Sequence, residues 1–176
     1  MLHPLDEFYT LAGMPLPPWQ VIDSGDVPEP YRTLLAHQND MTPTLEKFHN
    51  GPIHLRVYGR RNNGGEYSRE VVLLLNGANT PVEFGAIKIY LDRFPEKARE
   101  LILGEHRPLG TILHECAIPH SSQPKAFLKL ASDRLIAEVL CISGAQTIYG
   151  RRNTLLNPQG ESLAEIVEIL PPAQTK

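Results

Sequence analysis

The sequence predicts an α+β domain on a single antiparallel sheet, and three observations carry that expectation. From Ile53 onward apolar residues recur with a period of two, after a stretch that follows helical spacing. The first strand-like runs are joined by Asn62-Asn63-Gly64-Gly65 and by Asn76-Gly77, too short for the crossover that parallel strands need. Sixteen prolines in 176 residues keep the helical stretches short and impose defined corners. The chain order is then helices, a meander, helices, a strand, a helix and a closing hairpin.

From the N-terminus, residues 1–30 are rich in Pro, Asp and Gly and read as an irregular lead-in with a short helix near Asp6–Ala12. Pro30 suits the first position of a helix over Tyr31–Gln38. Thr42 reads as the N-cap of the next helix, with Pro43 first, Leu45 and Phe48 facing inward, and Gly51-Pro52 as its stop. Ile53, Leu55 and Val57 alternate with His54, Arg56 and Tyr58 as a half-buried strand; Glu66–Leu75 and Val82–Leu91 follow as its neighbours. Phe94–Gly104 has Pro near its start and Gly at its end, as a helix does. Pro108-Leu109-Gly110 opens a short helix over Thr111–Cys116, followed by a loop holding Ser121-Ser122 and a short strand over Phe127–Leu130. Ser132 is the expected cap of a helix over Asp133–Leu140, and Gly144 leads into the hairpin Tyr149–Pro171. In its turn, Asn157-Pro158-Gln159-Gly160, Pro stands second and Gly fourth, as a tight turn favours. The string Tyr-Gly-Arg-Arg-Asn occurs at Tyr58–Asn62 and at Tyr149–Asn153, but its surroundings do not repeat.

A length of 176 residues suits one domain, 1–176, with one substantial core. With 41% hydrophobic and 21% charged residues the composition is that of a soluble globular protein. A net charge of -3 gives no expectation of a nucleic-acid partner. No apolar run is long enough to span a membrane, and Met1-Leu2-His3-Pro4-Leu5-Asp6 has no signal-peptide core. Cys116 and Cys141 read as reduced thiols, so a cytoplasmic location is expected. His114-Glu115 and His120 lack the spacing of a helical two-histidine motif, so no metal site is expected. Serine and cysteine nucleophile motifs, phosphate loops and dinucleotide fingerprints are absent, which leaves no cofactor to predict. The sequence carries no signal of oligomeric state.

Two charged residues stand where alternation asks for apolar ones. Arg69 shares a face with Tyr67, Val71, Leu73 and Leu75. Either it is a buried guanidinium held for a carboxylate, or its strand is shifted or at an edge and the long side chain reaches water. Glu168 shares a face with Ala164, Ile166 and Leu170, whereas Glu165 lies with Leu163, Val167 and Ile169, so the pattern alone leaves open which acid points inward. A buried carboxylate needs a partner or a use, and Arg151 or Arg152 on the preceding strand offers one. Those two arginines face opposite ways, and alternation does not say which is inside.

Short blocks in a fixed order give the chain a resemblance to the chorismate pyruvate-lyases. Asp40-Met41-Thr42 with Glu46 and Phe48 is similar to a Ser-Met-Thr…Arg-Phe-Glu helix of that family. Arg69-Glu70-Val71-Val72-Leu73-Leu74 resembles its Arg-Glu-Ile-Leu-Leu strand, and Gly85 falls at the glycine of the next. Pro108-Leu109-Gly110, Gly150-Arg151-Arg152 and Glu168 with Leu170-Pro171 resemble its remaining blocks, so the likeness runs from about Asp40 to Pro171. The resemblance implies a chorismate lyase-like fold, with flap-like helical segments over a buried ligand. It implies conversion of chorismate to 4-hydroxybenzoate and pyruvate without cofactor or metal, and quinone biosynthesis as the usual destination. Carried over, Arg69 grips the ring carboxylate with help from amides near Met41, Leu109 and Gly110, and Glu168 acts at the ether oxygen. Gly85 and Arg152 complete the implied contacts.

Two departures matter. Ala86 stands where enteric relatives carry Arg, which puts the grip on the second carboxylate in doubt. Phe127–Tyr149 looks more like the effector-binding domains of GntR-type transcription regulators, which share the fold and bind metabolites without catalysis. Residues 1–50 are too short and Pro-rich to read as a winged helix, so the alternative expectation is a stand-alone binding module.

Overall fold

Among the described residues, extended runs rich in β-branched and aromatic residues give seven strands, and the segments outside them give six short helices. The structure is a computed structural model and describes residues 2–173. The strands are β1 (Trp19–Ile22), β2 (Ile53–Asn62), β3 (Glu66–Leu75), β4 (Pro81–Tyr90), β5 (Ser121–Ala131), β6 (Thr147–Leu156) and β7 (Ser162–Leu170). The helices are α1 (Leu5–Leu11), α2 (Tyr31–Leu35), α3 (Met41–His49), α4 (Glu96–Leu103), α5 (Leu109–Glu115) and α6 (Arg134–Val139). All strands join one sheet in the order β1-β5-β6-β7-β4-β3-β2, and every neighbouring pair is antiparallel. The meander β2-β3-β4 and the hairpin β6-β7 are thus fused through β4 and β7, where Gly85 lies opposite Glu168.

Both faces of the sheet are covered. On one, α1 and α6 bury Val72, Phe84, Ala86, Leu128 and Ile169. On the other, α4 and α5 pack over Tyr67, Ile87, Ile89 and Leu155, whereas α2 and α3 pack over Leu55, Val71, Leu73 and Leu170. Each fully buried Leu or Ile contributes about 1.5–3 kcal/mol. Because the second face is capped by two separate helical groups, a seam runs between them. The site lies in that seam.

Several boundaries differ from the expectations, each for a local reason. The lead-in holds the expected short helix, as α1, but also an unexpected strand, β1, which pairs with β5 from Trp19↔Leu130 to Ile22↔Phe127. Pro15, Pro17 and Pro18 hide so short a run, but an edge strand tolerates proline beside it. Strand β5 begins at Ser121, so Ser121-Ser122 is not a loop; Pro124 is accommodated by a register shift between Pro124 and Ala126. Asp133, not Ser132, caps α6: its Oδ1 accepts from the Ile136 amide at 2.9 Å, whereas the Ser132 hydroxyl accepts from the Gln146 amide. Helix α3 starts at Met41 after an extended Asp40, which places Thr42 inside it, and Phe48 is 49% exposed instead of inward. Helix α2 stops at Leu35 and α5 starts at Leu109. The closing turn is as expected, with Gly160 at φ 81.

Candidate functional site

Period-two alternation on β3, β4 and β7 aims Arg69, Glu83, Gly85 and Glu168 at the same face of the sheet. Above them Met41 and Thr42 of α3 meet Leu109 and Gly110 of α5, enclosing a cavity of about 60 Å³. Apolar side chains of Leu55, Val71, Leu73, Ile87, Leu155 and Ile166 complete most of its wall. Arg69, Glu168, Met41, Gly85, Leu109 and Gly110 all line this one cavity. Arg152 does not: it projects from the other face of β6 toward Glu165, Nη2 to Oε2 3.6 Å.

Arg69 is 1% exposed and, among the described residues, forms no ion pair with a carboxylate. Its Nη1 donates to the Ile102 carbonyl at 3.4 Å and its Nη2 to the Arg107 carbonyl at 3.3 Å, both long bonds, and Nε has no acceptor. Burial pulls its proton affinity down, with Tyr67 and Glu105 opposing. Strand β3 is internal, between β2 and β4, so the side chain has no edge to escape over. A buried guanidinium with spare donors is costly unless an anion meets it.

Glu168 is differently placed. Directly opposite it on β6 is Arg151, which is 0% exposed and donates from Nε to Glu168 Oε2. Arg151 also donates to the carbonyls of Leu35 at 3.1 Å and His37 at 3.0 Å, and at 3.4 Å to that of Asn39. It therefore ties the hairpin to the linker between α2 and α3, and its donors are committed to the protein. Of the two alternatives left open by the pattern, Arg151 is the inward arginine and Glu168 the inward acid.

Glycines set the height of this strand pair. A Cβ on Gly85 would overlap the Val167 carbonyl oxygen, and one on Gly150 would overlap the Glu168 carbonyl oxygen. Only glycine at both positions lets the neighbouring backbones close on β7 and hold Glu168 in register. Ala86, one residue on, packs into the core under α1 and α6.

Sequence reasoning missed Glu83. It is 5% exposed, lines the cavity, and its Oε2 has no hydrogen-bond partner. Burial first, then the nearby charge of Glu168, raises its proton affinity well above the usual carboxylate range, with Arg151 opposing. The signal was present: Glu83 interrupts an apolar strand on the same parity as Gly85 and Ile87, the same anomaly that exposed Glu168.

At the mouth, His120 Nε2 lies 2.9 Å from Asp40 Oδ2, and this hydrogen bond is the chief reason the imidazole holds its proton more tightly than usual. Asp40 lines both the cavity and an open cleft shared with Thr44, Lys47, His120 and Ser122. Beside it, the Asn153 side-chain amide donates to the Ser122 hydroxyl at 2.9 Å, Asn153 lining the cavity and Ser122 the cleft. Among the described residues no three His, Cys, Asp or Glu side chains gather to hold a metal, and no helix is long and apolar enough to cross a membrane.

No family model and no curated protein matches the sequence. Solved structures do match in shape. PhnF from Mycobacterium smegmatis superposes with a TM-score of 0.57 at 10% identity, over 80% of this chain and 67% of that one. Its effector domain alone gives 0.57 at 10% identity, over 76% and 88%. The fold is chorismate lyase-like, as in GntR-type effector domains. A GntR-family transcriptional regulator from Bacillus cereus gives 0.50 at 6% identity, over 70% of this chain and 94% of that one. The chain spans 60% of the length of YydK, a possible transcriptional regulator from Bacillus subtilis, with a TM-score of 0.53 at 9% identity. At such identities the likeness is one of architecture.

Proposed function

We propose that this chain is a small-molecule binding domain of the effector-domain type, taking an organic acid whose carboxylate docks on Arg69. The observation that carries the reading is the buried guanidinium of Arg69, short of acceptors at the edge of an enclosed, largely apolar cavity. A carboxylate would offer two parallel, charge-assisted hydrogen bonds there, stronger in that setting than in water. The fold it shares with the PhnF effector domain supports the same reading. Titration calorimetry with 4-hydroxybenzoate and chorismate tests it. Arg69→Gln is expected to weaken binding about 100-fold, the loss of roughly 3 kcal/mol. An unchanged affinity in that variant sinks the proposal.

A second reading, chorismate pyruvate-lyase, is favoured by Arg69, Glu168, Met41, Gly85, Leu109 and Gly110 lying around one cavity. In it Arg69 holds the ring carboxylate and Glu168 stands by the ether oxygen that leaves with pyruvate. No cofactor takes part. The Arg151–Glu168 pair weighs against it, because the Arg151 guanidinium already occupies an oxygen of the carboxyl that would have to serve the ether oxygen. Purified protein is incubated with chorismate, and 4-hydroxybenzoate and pyruvate are followed. Product above the spontaneous background, slowed in Glu168→Gln with binding kept, supports catalysis; bound chorismate without product retires it.

A further inference from the structure

Glu83 occupies the end of the cavity remote from Arg69. On the paired strands Arg69 is opposite Ile87, and Leu73 is opposite Glu83, four residues further along. At about 3.3 Å per residue the two backbone positions are roughly 13 Å apart, and both side chains line the same cavity. Gly85 lies between Glu83 and Ile87 on that face and carries no side chain to divide the space. Arg151, the nearest cation, is committed to Glu168 and to the carbonyls of Leu35, His37 and Asn39. The Glu83 carboxyl is thus nearly enclosed, with one oxygen that has no hydrogen-bond partner among the described residues. A buried polar group in this condition is either a stability defect or half of a contact completed by a ligand.

We propose that Glu83 is a specificity-determining residue of this site, its unpartnered carboxyl hydrogen-bonding an oxygen at the far end of the ligand. The inference rests on the binding reading and deepens it: the ligand is a small acid with an apolar body, bearing a hydroxyl or oxo group opposite its carboxylate. Charge balance selects this class. With Arg151 and Glu168 neutralising each other, Arg69 accounts for one ligand carboxylate, and a carboxyl whose proton affinity burial raises well above the usual range is suited to a neutral hydroxyl or oxo group. A ligand ammonium at that end would be stripped of water against Leu55, Leu73 and Val71, a much larger cost than a hydroxyl incurs.

The test uses the full chain and two probes that differ by one oxygen, 4-hydroxybenzoate and benzoate, titrated by calorimetry. Wild type is expected to prefer 4-hydroxybenzoate about tenfold, the effect of one hydrogen bond of roughly 1.4 kcal/mol. Glu83→Gln, whose amide still donates, keeps the preference. Glu83→Leu reduces it below twofold while benzoate still binds. Unfolding curves accompany both variants, and removal of an unpaired buried acid is expected to leave them folded. A preference that survives in Glu83→Leu overturns the assignment of Glu83 and leaves the Arg69 reading standing. Failure of both acids to bind wild type, or binding indifferent to Arg69→Gln, overturns the binding reading and this one with it.

Discussion

On the face of the sheet away from the cavity, Glu70 lies 8% exposed with Oε1 unpartnered, in the field of Asp133, whose Oδ2 accepts from the Tyr9 hydroxyl at 2.8 Å. Burial and then the Asp133 charge push the Glu70 carboxyl from its ordinary 4.5 up to about 7. The folded chain therefore binds this proton more tightly than the unfolded one, so the associated stability is complete below pH 4.5 and is lost as pH rises toward 7. Glu70→Gln is expected to show no such loss and to gain on wild type by about 3 kcal/mol between pH 4.5 and pH 8, measured by urea unfolding. A difference that stays flat across that window refutes the assignment. Arg151 and Glu168 are the opposite case, a buried pair in which each charge answers the other. Removing one partner of such a pair typically costs about 3–5 kcal/mol. The sequence raised this pair as one alternative and Arg69 as the ligand's cation; the two are compatible, since they use different guanidinium groups.

At the level of elements, the junction of β4 with β7 decides the site, because it brings a meander strand against a hairpin strand some 80 residues away. Gly85 is its tightest point, and the atom a Cβ would strike is backbone, which cannot swing aside. Gly85→Ala is expected to destabilise the chain by more than about 3 kcal/mol, read as a drop in unfolding temperature. Gly64→Ala, in the open β2–β3 turn at φ 80 with nothing within 4 Å of the new Cβ, costs only about 1 kcal/mol of backbone strain. Equal effects at the two glycines would show that the strands do not close as described. The meander, the final hairpin and α4 were legible in the sequence because alternation, Asn-Gly turns and Pro and Gly at element ends are local signals. Strand β1 and the first half of β5 were not. Prolines stand beside or within them, and their ladder is earned only by pairing with each other and with β6.

For the molecule as a whole, the cavity of about 60 Å³ is far smaller than the 300–1,000 Å³ typical of sites for drug-sized ligands. On the proposed binding reading, an aromatic acid is therefore expected to part α3 from α5 as it enters. A ligand that binds only the folded chain stabilises it by about 2.7 kcal/mol at 100 times its Kd. With 4-hydroxybenzoate in that excess, unfolding temperature is expected to rise, and amide hydrogen exchange to slow most in 41–49 and 109–115, the segments above Arg69 and Glu168. Slowing confined instead to α1 and α6, across the sheet, would place the ligand elsewhere.

The repeated string Tyr-Gly-Arg-Arg-Asn shows where local information stops. At Tyr58–Asn62 it lies on edge strand β2, where Tyr58 is 48% exposed and the Arg60 and Arg61 side chains are 68% and 48% exposed. At Tyr149–Asn153 it lies on interior strand β6, where Arg151 is 0% exposed and binds Glu168. By itself the sequence determined the class of fold, the alternation of each strand, and the anomaly of charged residues on apolar faces, since these depend on a few neighbouring residues. Only the tertiary structure decided strand order, which arginine is inside, and that Glu83 joins Arg69 and Glu168 around one cavity. Those outcomes depend on which distant strand lies alongside and on what covers the sheet, and no local period encodes either.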